Sequence, residues 1–527
     1  MSCKFSHLKH FPLFFVFFVV SDVIAQQVPF TVEIEPVIAG PLPKMHSFAF
    51  AQSGSKWLFV GGRTNGLHGF STNDSFDVIY ASDVITVIDT ATWSWYSSPL
   101  GVLPTAVADP LRTTNMQYTR IGDYLYLTGG FGWDSIANGF RTFPTLTAIH
   151  IDNMINAVVY GTPIALNIRQ IYDTNFRISG GEMQQMNGEC FLFFGHNFSG
   201  RYSDPPQPTF TQVYSPQIKR FTINDDGINL SVSNFTFLTD TNNFHRRDLN
   251  VGNVVHPDGT FGWCAYSGVF RKDCNMPYLW PINFDPTNGA VVDSSFSQTM
   301  NNYTCAMEPL FDSVQKTMYT ILFGGESQYE FNPVTQQLIL DSLVPFVSDI
   351  SVLVHDQAGQ WSQLPLQLQM PGLQGSNMKF VPNTFVPSYS NEVVKLRELS
   401  GRVLVGYLVG GIVAVVPNGH PSSWANDTVY RVWISPDQVL LAVNDLNPLG
   451  QVNIFPNPAN NQVTIRTNFN GAVAISLLDA QGRVLRSENR FERKDVIFNT
   501  QNLSMGIYTI QVTIGDSISQ SKLVIVR

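Results

Sequence analysis

A short strand ending in small residues recurs six times along this chain of 527 residues. The copies begin at Trp57-Leu58-Phe59-Val60-Gly61-Gly62 and Tyr124-Leu125-Tyr126-Leu127-Thr128-Gly129-Gly130. Phe191-Leu192-Phe193-Phe194-Gly195-His196 and Trp263-Cys264-Ala265-Tyr266-Ser267-Gly268 continue the series. Tyr319-Thr320-Ile321-Leu322-Phe323-Gly324-Gly325 and Val405-Gly406-Tyr407-Leu408-Val409-Gly410-Gly411 complete it. Measured at the last residue, the spacings are 68, 66, 72, 57 and 86 residues. A period of this size marks a repeat in which no unit buries its own apolar face, so neighbours must stack.

A second segment follows four of the six strands. Val84-Ile85-Thr86-Val87-Ile88-Asp89 precedes Trp93 and Trp95, and Ile350 to Asp356 precedes Trp361. Leu146 to Asp152 and Ile218 to Ile223 occupy the same place in copies two and three. The order of strand, glycine pair, long loop, strand ending in Asp, turn and Trp resembles the kelch motif of β-propellers. The resemblance spans residues 26–449 and implies an all-β, six-bladed kelch-like β-propeller, with five or seven blades as alternatives. Copies three and four depart from the pattern in the glycine pair and lack a well-placed Trp. Residues 30–35 alternate with period two before the first copy, and the sixth copy lacks a fourth strand. Those residues are expected to close the last blade and so remove a free edge.

Residues 450–527 differ in texture. Short alternating segments such as Val463-Thr464-Ile465 and Ile507 to Val512 are separated by turn residues. About seven strands in this length imply a small Ig-like β-sandwich. Phe455-Pro456-Asn457-Pro458-Ala459, Leu478 to Arg483, Met505-Gly506-Ile507-Tyr508 and Ser521 to Val526 stand in order. They resemble the type A C-terminal sorting domain of the type IX (Por) secretion system of Bacteroidota. That resemblance implies engagement of the type IX machinery and a final place outside the cell, secreted or attached to the outer-membrane surface.

The N-terminus agrees. Lys4 and Lys9 precede the apolar run Phe11 to Val20, and Val23-Ile24-Ala25 places small residues for cleavage between Ala25 and Gln26. Residues 1–25 thus read as a signal peptide, its apolar run too short to span a bilayer. No later stretch reaches the length of a transmembrane helix. Of the four remaining cysteines, Cys264 and Cys274 are the best disulfide candidates by proximity. Free buried thiols are the equal alternative, with Cys190 and Cys305 completing the set.

The net charge of −9 divides unevenly: +1 before Gln26, +3 in the C-terminal unit and −13 between them. An acidic body of this kind is not a nucleic-acid binder by charge. No HExxH, CxxC pair, EF-hand loop, P-loop or GxSxG elbow occurs, so neither a metal nor a cofactor is expected.

In the implied propeller, candidate residues fall in two groups. His46, Asn115, Glu182, Arg247, Asp248, Cys305 and Asn377 stand before or at the first strand of each copy and would form a polar ring at the channel mouth. Trp133, Arg141, His196, Arg201 and Tyr202 lie at or in the long stretches 131–144 and 197–214, read as loops. Aromatic faces suit sugar rings and arginine forks suit carboxylates. A packing role stays open for each. The leading expectation is a binding module for a glycan or protein partner. An extracellular kelch-fold enzyme, sialic-acid mutarotase-like, is the alternative, with Glu182 and Asp248 as an acid–base pair beside Arg247. A structural adhesion protein is the third reading.

Overall fold

The computed structural model describes residues 28–71, 74–203, 209–419, 422–437, 452–467, 473–479, 483–490, 495–514 and 517–526. The signal sequence with its Ala25–Gln26 junction lies outside these, as does the expected domain boundary at 449/450. The chain divides into two compact units, Met1–Pro436 and Asp437–Arg527. Both are dominated by antiparallel strands.

The larger unit contains six four-stranded antiparallel arrays of the same plan. Array 1 runs Ala49–Ser53, Lys56–Val60, Val84–Asp89 and Ser94–Pro99. Array 2 uses Gln117–Ile121, Tyr124–Thr128, Thr145–His150 and Ile168–Tyr172. Array 3 uses Glu182–Met186, Glu189–Phe193, Gln217–Asp225 and Leu230–Thr239. Array 4 uses Asn250–Val255, Phe261–Tyr266, Ile282–Asp285 and Gly289–Val292. Array 5 uses Ala306–Asp312, Thr317–Phe323, Asp349–His355 and Trp361–Gln369, with Val394–Lys395 added beside its first strand. Array 6 uses Met378–Pro382, Val403–Gly410 and Tyr430–Pro436, and its fourth strand is Phe30–Pro36 from the other end of the unit. Phe30 pairs with Pro436 and Pro36 with Tyr430. Consecutive first strands are neighbours: arrays 1 and 2, 2 and 3, 4 and 5, and 5 and 6.

The core is a series of apolar wedges between successive arrays. Leu58, Val87, Leu125 and Ile149 join arrays 1 and 2 with the helix Ile151–Tyr160. Met183, Leu192 and Phe221 meet Leu146 and Ala148 between arrays 2 and 3. Phe191 and Phe193 pack on Trp263 and Phe284 between arrays 3 and 4. Tyr266 and Cys264 join Leu322 and Leu353 between arrays 4 and 5. Phe323 stacks on Phe380 at 6.1 Å between arrays 5 and 6. Trp57 and Trp93 pack against Tyr407 at 5.0 and 5.8 Å between arrays 6 and 1. Phenylalanine and tryptophan dominate because tapering gaps are filled by broad, rigid rings.

The glycine pairs do a second job. In every copy two consecutive residues at the end of the second strand have positive φ: Gly61–Gly62, Gly129–Gly130, Phe194–Gly195, Ser267–Gly268, Gly324–Gly325 and Gly410–Gly411. The third copy is therefore shifted by one from the expected Gly195-His196, with Phe194 in the first position at φ 53°. The turned backbone aims the second residue's N–H at the next array. Gly62 donates to Thr113 O at 2.8 Å, Gly130 to Ile178 O at 2.9 Å and Gly195 to Arg246 O at 2.8 Å. Gly325 donates to Gln374 O at 3.1 Å and Gly411 to Met45 O at 3.0 Å.

Two sequence expectations are corrected. The stretches between second and third strands are not simple loops. Phe131–Asp134, Gly139–Thr142, His196–Gly200 and Phe210–Tyr214 form a four-stranded sheet of two joined hairpins. Tyr329–Asn332 pairs with Gln337–Leu340 in a further hairpin, and Ile412–Ala414 with Ser423–Ala425 in another. Cys264 and Cys274 are not bridged: Cys190, Cys264, Cys274 and Cys305 are all buried and form no disulfide among the described residues.

The smaller unit has seven strands among the described residues, in a three-stranded and a four-stranded sheet. Val463, Ile465, Ile475, Phe498, Ile510 and Leu523 belong to one buried cluster between them.

A Cβ on Gly129 would lie 1.9 Å from Ile178 O, whereas one on Gly54 meets open space although both have positive φ. Gly54→Ala should cost about 1 kcal/mol, the conformational term alone. Gly129→Ala should cost about 4 kcal/mol or more, because the neighbouring backbone must move. Denaturant unfolding of the two variants checks this; equal losses would contradict the close inter-array approach.

Candidate functional site

The residue just before each first strand has a left-handed backbone: Ser47, Asn115, Gly180, Asp248, Thr304 and Asn377. Asn and Asp tolerate this conformation better than other non-glycine residues, and glycine adopts it freely. Their backbones form a relay. Asn115 N–H donates to Ser47 O at 3.1 Å, Gly180 to Asn115 O at 3.0 Å and Asp248 to Gly180 O at 2.7 Å. Asn377 donates to Thr304 O at 2.7 Å. The polar character of this ring is thus partly a backbone requirement.

Five of these six residues, all but Gly180, line two cavities at once, one on either side of the ring. The first, of about 230 Å³, is walled by the first strands of all six arrays. Glu182 and Lys379 form an ion pair there at 3.6 Å. Burial and then Lys379 act on Glu182 in opposite senses, and burial prevails, raising its pKa. Lys379 Nζ lies 5.6 Å from the Tyr118 ring centre. Cys305 accepts from Asn250 Nδ2 at 3.3 Å, and burial pushes its thiol up to about 12, which keeps it protonated at neutral pH.

The second cavity, of about 400 Å³, is walled by residues just before the ring and just after the glycine pairs. Antiparallel bridges hold these together: His46 with Arg63, Thr114 with Phe131, Ser179 with His196, Arg247 with Val269, and Tyr303 with Glu326. Glu326 accepts from Tyr303 Oη and from Ser376 Oγ, both at 2.7 Å. Burial raises its pKa against the pull of these two donors. Arg247 donates to Asp248 at 3.0 Å and to Tyr214 Oη at 3.1 Å. Burial opposes its charge, but Asp248, Tyr214 and Tyr202 raise its pKa and keep it a cation.

Arg63 is only 5% exposed and, among the described residues, has no ion-pair partner. Its donors go to Asn65 Oδ1 at 3.1 Å and Asp77 O at 2.8 Å. Burial lowers its pKa to about 10, which leaves it charged at neutral pH. His46 beside it is lowered to about 3 by burial and then by Arg63, and its Nε2 is buried without a hydrogen-bond partner. His196 is lowered well below its ordinary value by burial and Arg247, and its Nδ1 accepts from Gln212 Nε2 at 2.7 Å. An aromatic wall completes the cavity. His68 stacks on Tyr202 at 5.3 Å, Phe70 lies 5.2 Å from Tyr202, and Phe76 lies 4.8 Å from Phe131.

The sequence-derived residues distribute as follows. His46, Asn115, His196, Tyr202, Arg247, Asp248 and Asn377 line the second cavity. Glu182 and Cys305 line the first, which Asp248 shares. Asp248 and Glu182 are each ion-paired, to Arg247 and Lys379. Trp133, Arg141 and Arg201 line neither cavity. Trp133 packs on Phe140 at 5.1 Å, Arg141 pairs with Asp134 at 3.2 Å, and Arg201 lies over Phe140 at 5.6 Å. Tyr303 and Glu326 escape the sequence reading. Their signal is positional: Glu326 directly follows a glycine pair, as Arg63 and Phe131 do.

Residues 453–526 match the secretion system C-terminal sorting domain family. The match marks the chain as one exported by the type IX system, secreted or held at the cell surface, and implies interaction with that machinery. No helix among the described residues is long and apolar enough to cross a membrane. A search of curated proteins found no match. Among solved structures, one titled "Structure of YjhT" is 10% identical, with a TM-score of 0.41, covering 74% of this chain and 96% of that one.

His46 gives a pH test. Its folded pKa of about 3 lies below its unfolded value of 6.5, so its contribution is full above 6.5 and is lost as pH falls towards 3. Between about pH 6 and 4, unfolding free energy should fall by about 1.4 kcal/mol per pH unit more steeply in the parent than in His46→Gln. Parallel stability profiles would show that His46 titrates normally.

Proposed function

We propose that the larger unit is a six-bladed kelch-type propeller, closed by strand Phe30–Pro36, and that its second cavity binds a glycan presented outside the cell. The C-terminal unit is, on this reading, an Ig-like address domain spanning 450–527, and residues 1–25 are a signal peptide removed on export in a Bacteroidota-like host.

One observation carries the glycan reading. The cavity sets an aromatic wall at His68, Phe70, Phe76 and Tyr202 beside hydrogen-bonding groups on Glu326, Arg247 and Arg63. A sugar offers the matching pair of surfaces, an apolar C–H face for the rings and hydroxyl edges for the polar groups. A concave volume of about 400 Å³ suits one or two sugar units better than a flat protein surface. The uncompensated Arg63 would reward an acidic substituent on that sugar.

An enzyme acting on a sugar is the second reading. The pair first expected, Glu182 and Asp248, is less suited to it because each carboxylate is tied to a cation. Glu326 favours it more: its carboxyl is raised by burial and lies in the aromatic cavity, in reach of a bound hydroxyl.

Glycan-array binding of the intact protein tests the proposal. Tyr202→Ala should weaken the bound glycan about tenfold, equivalent to roughly 1.4 kcal/mol. Absence of any glycan bound, or undiminished binding by Tyr202→Ala, would overturn it. Turnover of a bound sugar that Glu326→Gln abolishes would favour the enzyme.

A further inference from the structure

The sheet made by the two hairpins has a second face. Along His196–Gly200 the side chains alternate, as strands require. His196 and Phe198 line the second cavity, whereas Asn197 and Ser199 line a separate cleft of about 490 Å³. The hairpins meet through a single ladder pair, Ser199 with Arg141. Beside it the Thr142 hydroxyl accepts from Phe198 N–H and donates to Phe198 O, both at 2.9 Å. A side chain thus takes the place of further strand pairing, and the cleft lies along this half-joined seam.

Two guanidinium groups line the cleft, Arg141 and Arg177. Arg141 is neutralised by Asp134. Arg177 has no ion pair among the described residues, and its Nε is buried with no acceptor. Burial and the facing Arg141 both weaken its hold on its proton, as expected for a cation lacking an anion. Asn197, Ser199 and Thr211 add an amide and two hydroxyls as neutral donors. Unpaired guanidinium donors beside hydroxyls are the usual receptor for a compact oxyanion. The charge of −13 on residues 26–450 opposes anions in general, so such a site acts only through this local cluster.

We propose that this cleft is an oxyanion-binding site, holding a sulfate ester or carboxylate carried by an extracellular polymer, with Arg177 as the principal cation. The site is independent of the aromatic cavity on the other face of the sheet.

Calorimetric titration of the intact protein at low salt, with inorganic sulfate and separately with glucuronate, tests it. At least one probe should bind saturably, and Arg177→Ala should weaken that binding about tenfold or more. Tyr202→Ala should leave it unchanged, which separates this site from the glycan cavity. Binding of sulfate alone would identify a sulfate ester as the natural group, and of glucuronate alone a carboxylate. Should Arg177→Ala lower the melting temperature, Arg177→Gln is read in its place. No saturable binding of either probe, or binding unaltered by loss of the Arg177 charge, would overturn the proposal.

Discussion

The larger unit depends on one recurring hydrogen bond. A backbone N–H, set free by two successive left-handed residues, crosses from the end of one array to a carbonyl before the next. Five such bonds are present, at Gly62, Gly130, Gly195, Gly325 and Gly411, and the last returns from array 6 to Met45 before array 1. An interior N–H without an acceptor is costly, so each array but the fourth fixes the place of its successor through this bond. Apolar wedges supply most of the burial, but they are not directional. The hydrogen bonds set the register of array on array.

The same device makes the cavities. Each crossing bond draws the segment before the next first strand inward, and there, as also before array 5 at Thr304, the chain turns left-handed again, at Ser47, Asn115, Gly180, Asp248 and Asn377. The residues on one side of this turn face the narrower cavity and those on the other face the wider one. Chemistry is then a matter of what stands at each repeat position. After the glycine pairs come Arg63, Phe131, Val269, Glu326 and Ile412, with His196 in copy three: two opposite charges, a histidine, an aromatic and two aliphatics. The backbone is nearly symmetric and the side chains are not, which is how a repeat yields an asymmetric site.

Much of this is visible in the chain itself. Four glycine pairs stand in the sequence as such, and the alternation at residues 30–35 marks a strand. Phe194 and Ser267 are not visible as turn residues, because a non-glycine with positive φ carries no compositional mark, and so the third copy reads one residue out of register. The face hairpins are harder still. Ala137-Asn138-Gly139 holds an Asn-Gly turn signal, with Asn138 at φ 51°, but it lies in a segment whose length suggests a loop. Once that hairpin is a strand pair, Arg141 turns to the outer face of the sheet with its partner Gly132, while Trp133 stays on the face of Phe131 and packs on Phe140 outside the wide cavity. Glu326 and Tyr303 needed the register of the glycine pairs rather than residue type. Asn115, Asp248 and Asn377 are legible as polar, but their backbone role appears only in three dimensions.

Hydrogen exchange at the crossing amides tests the central claim most directly. Gly411 N–H should be protected to the same degree as Gly62, Gly130, Gly195 and Gly325. All five should lose protection together when the strand Phe30–Pro36 is deleted, because that strand completes array 6. Fast exchange at Gly411 in the intact protein, or unchanged protection at all five after the deletion, would contradict a larger unit whose arrays hold one another in place.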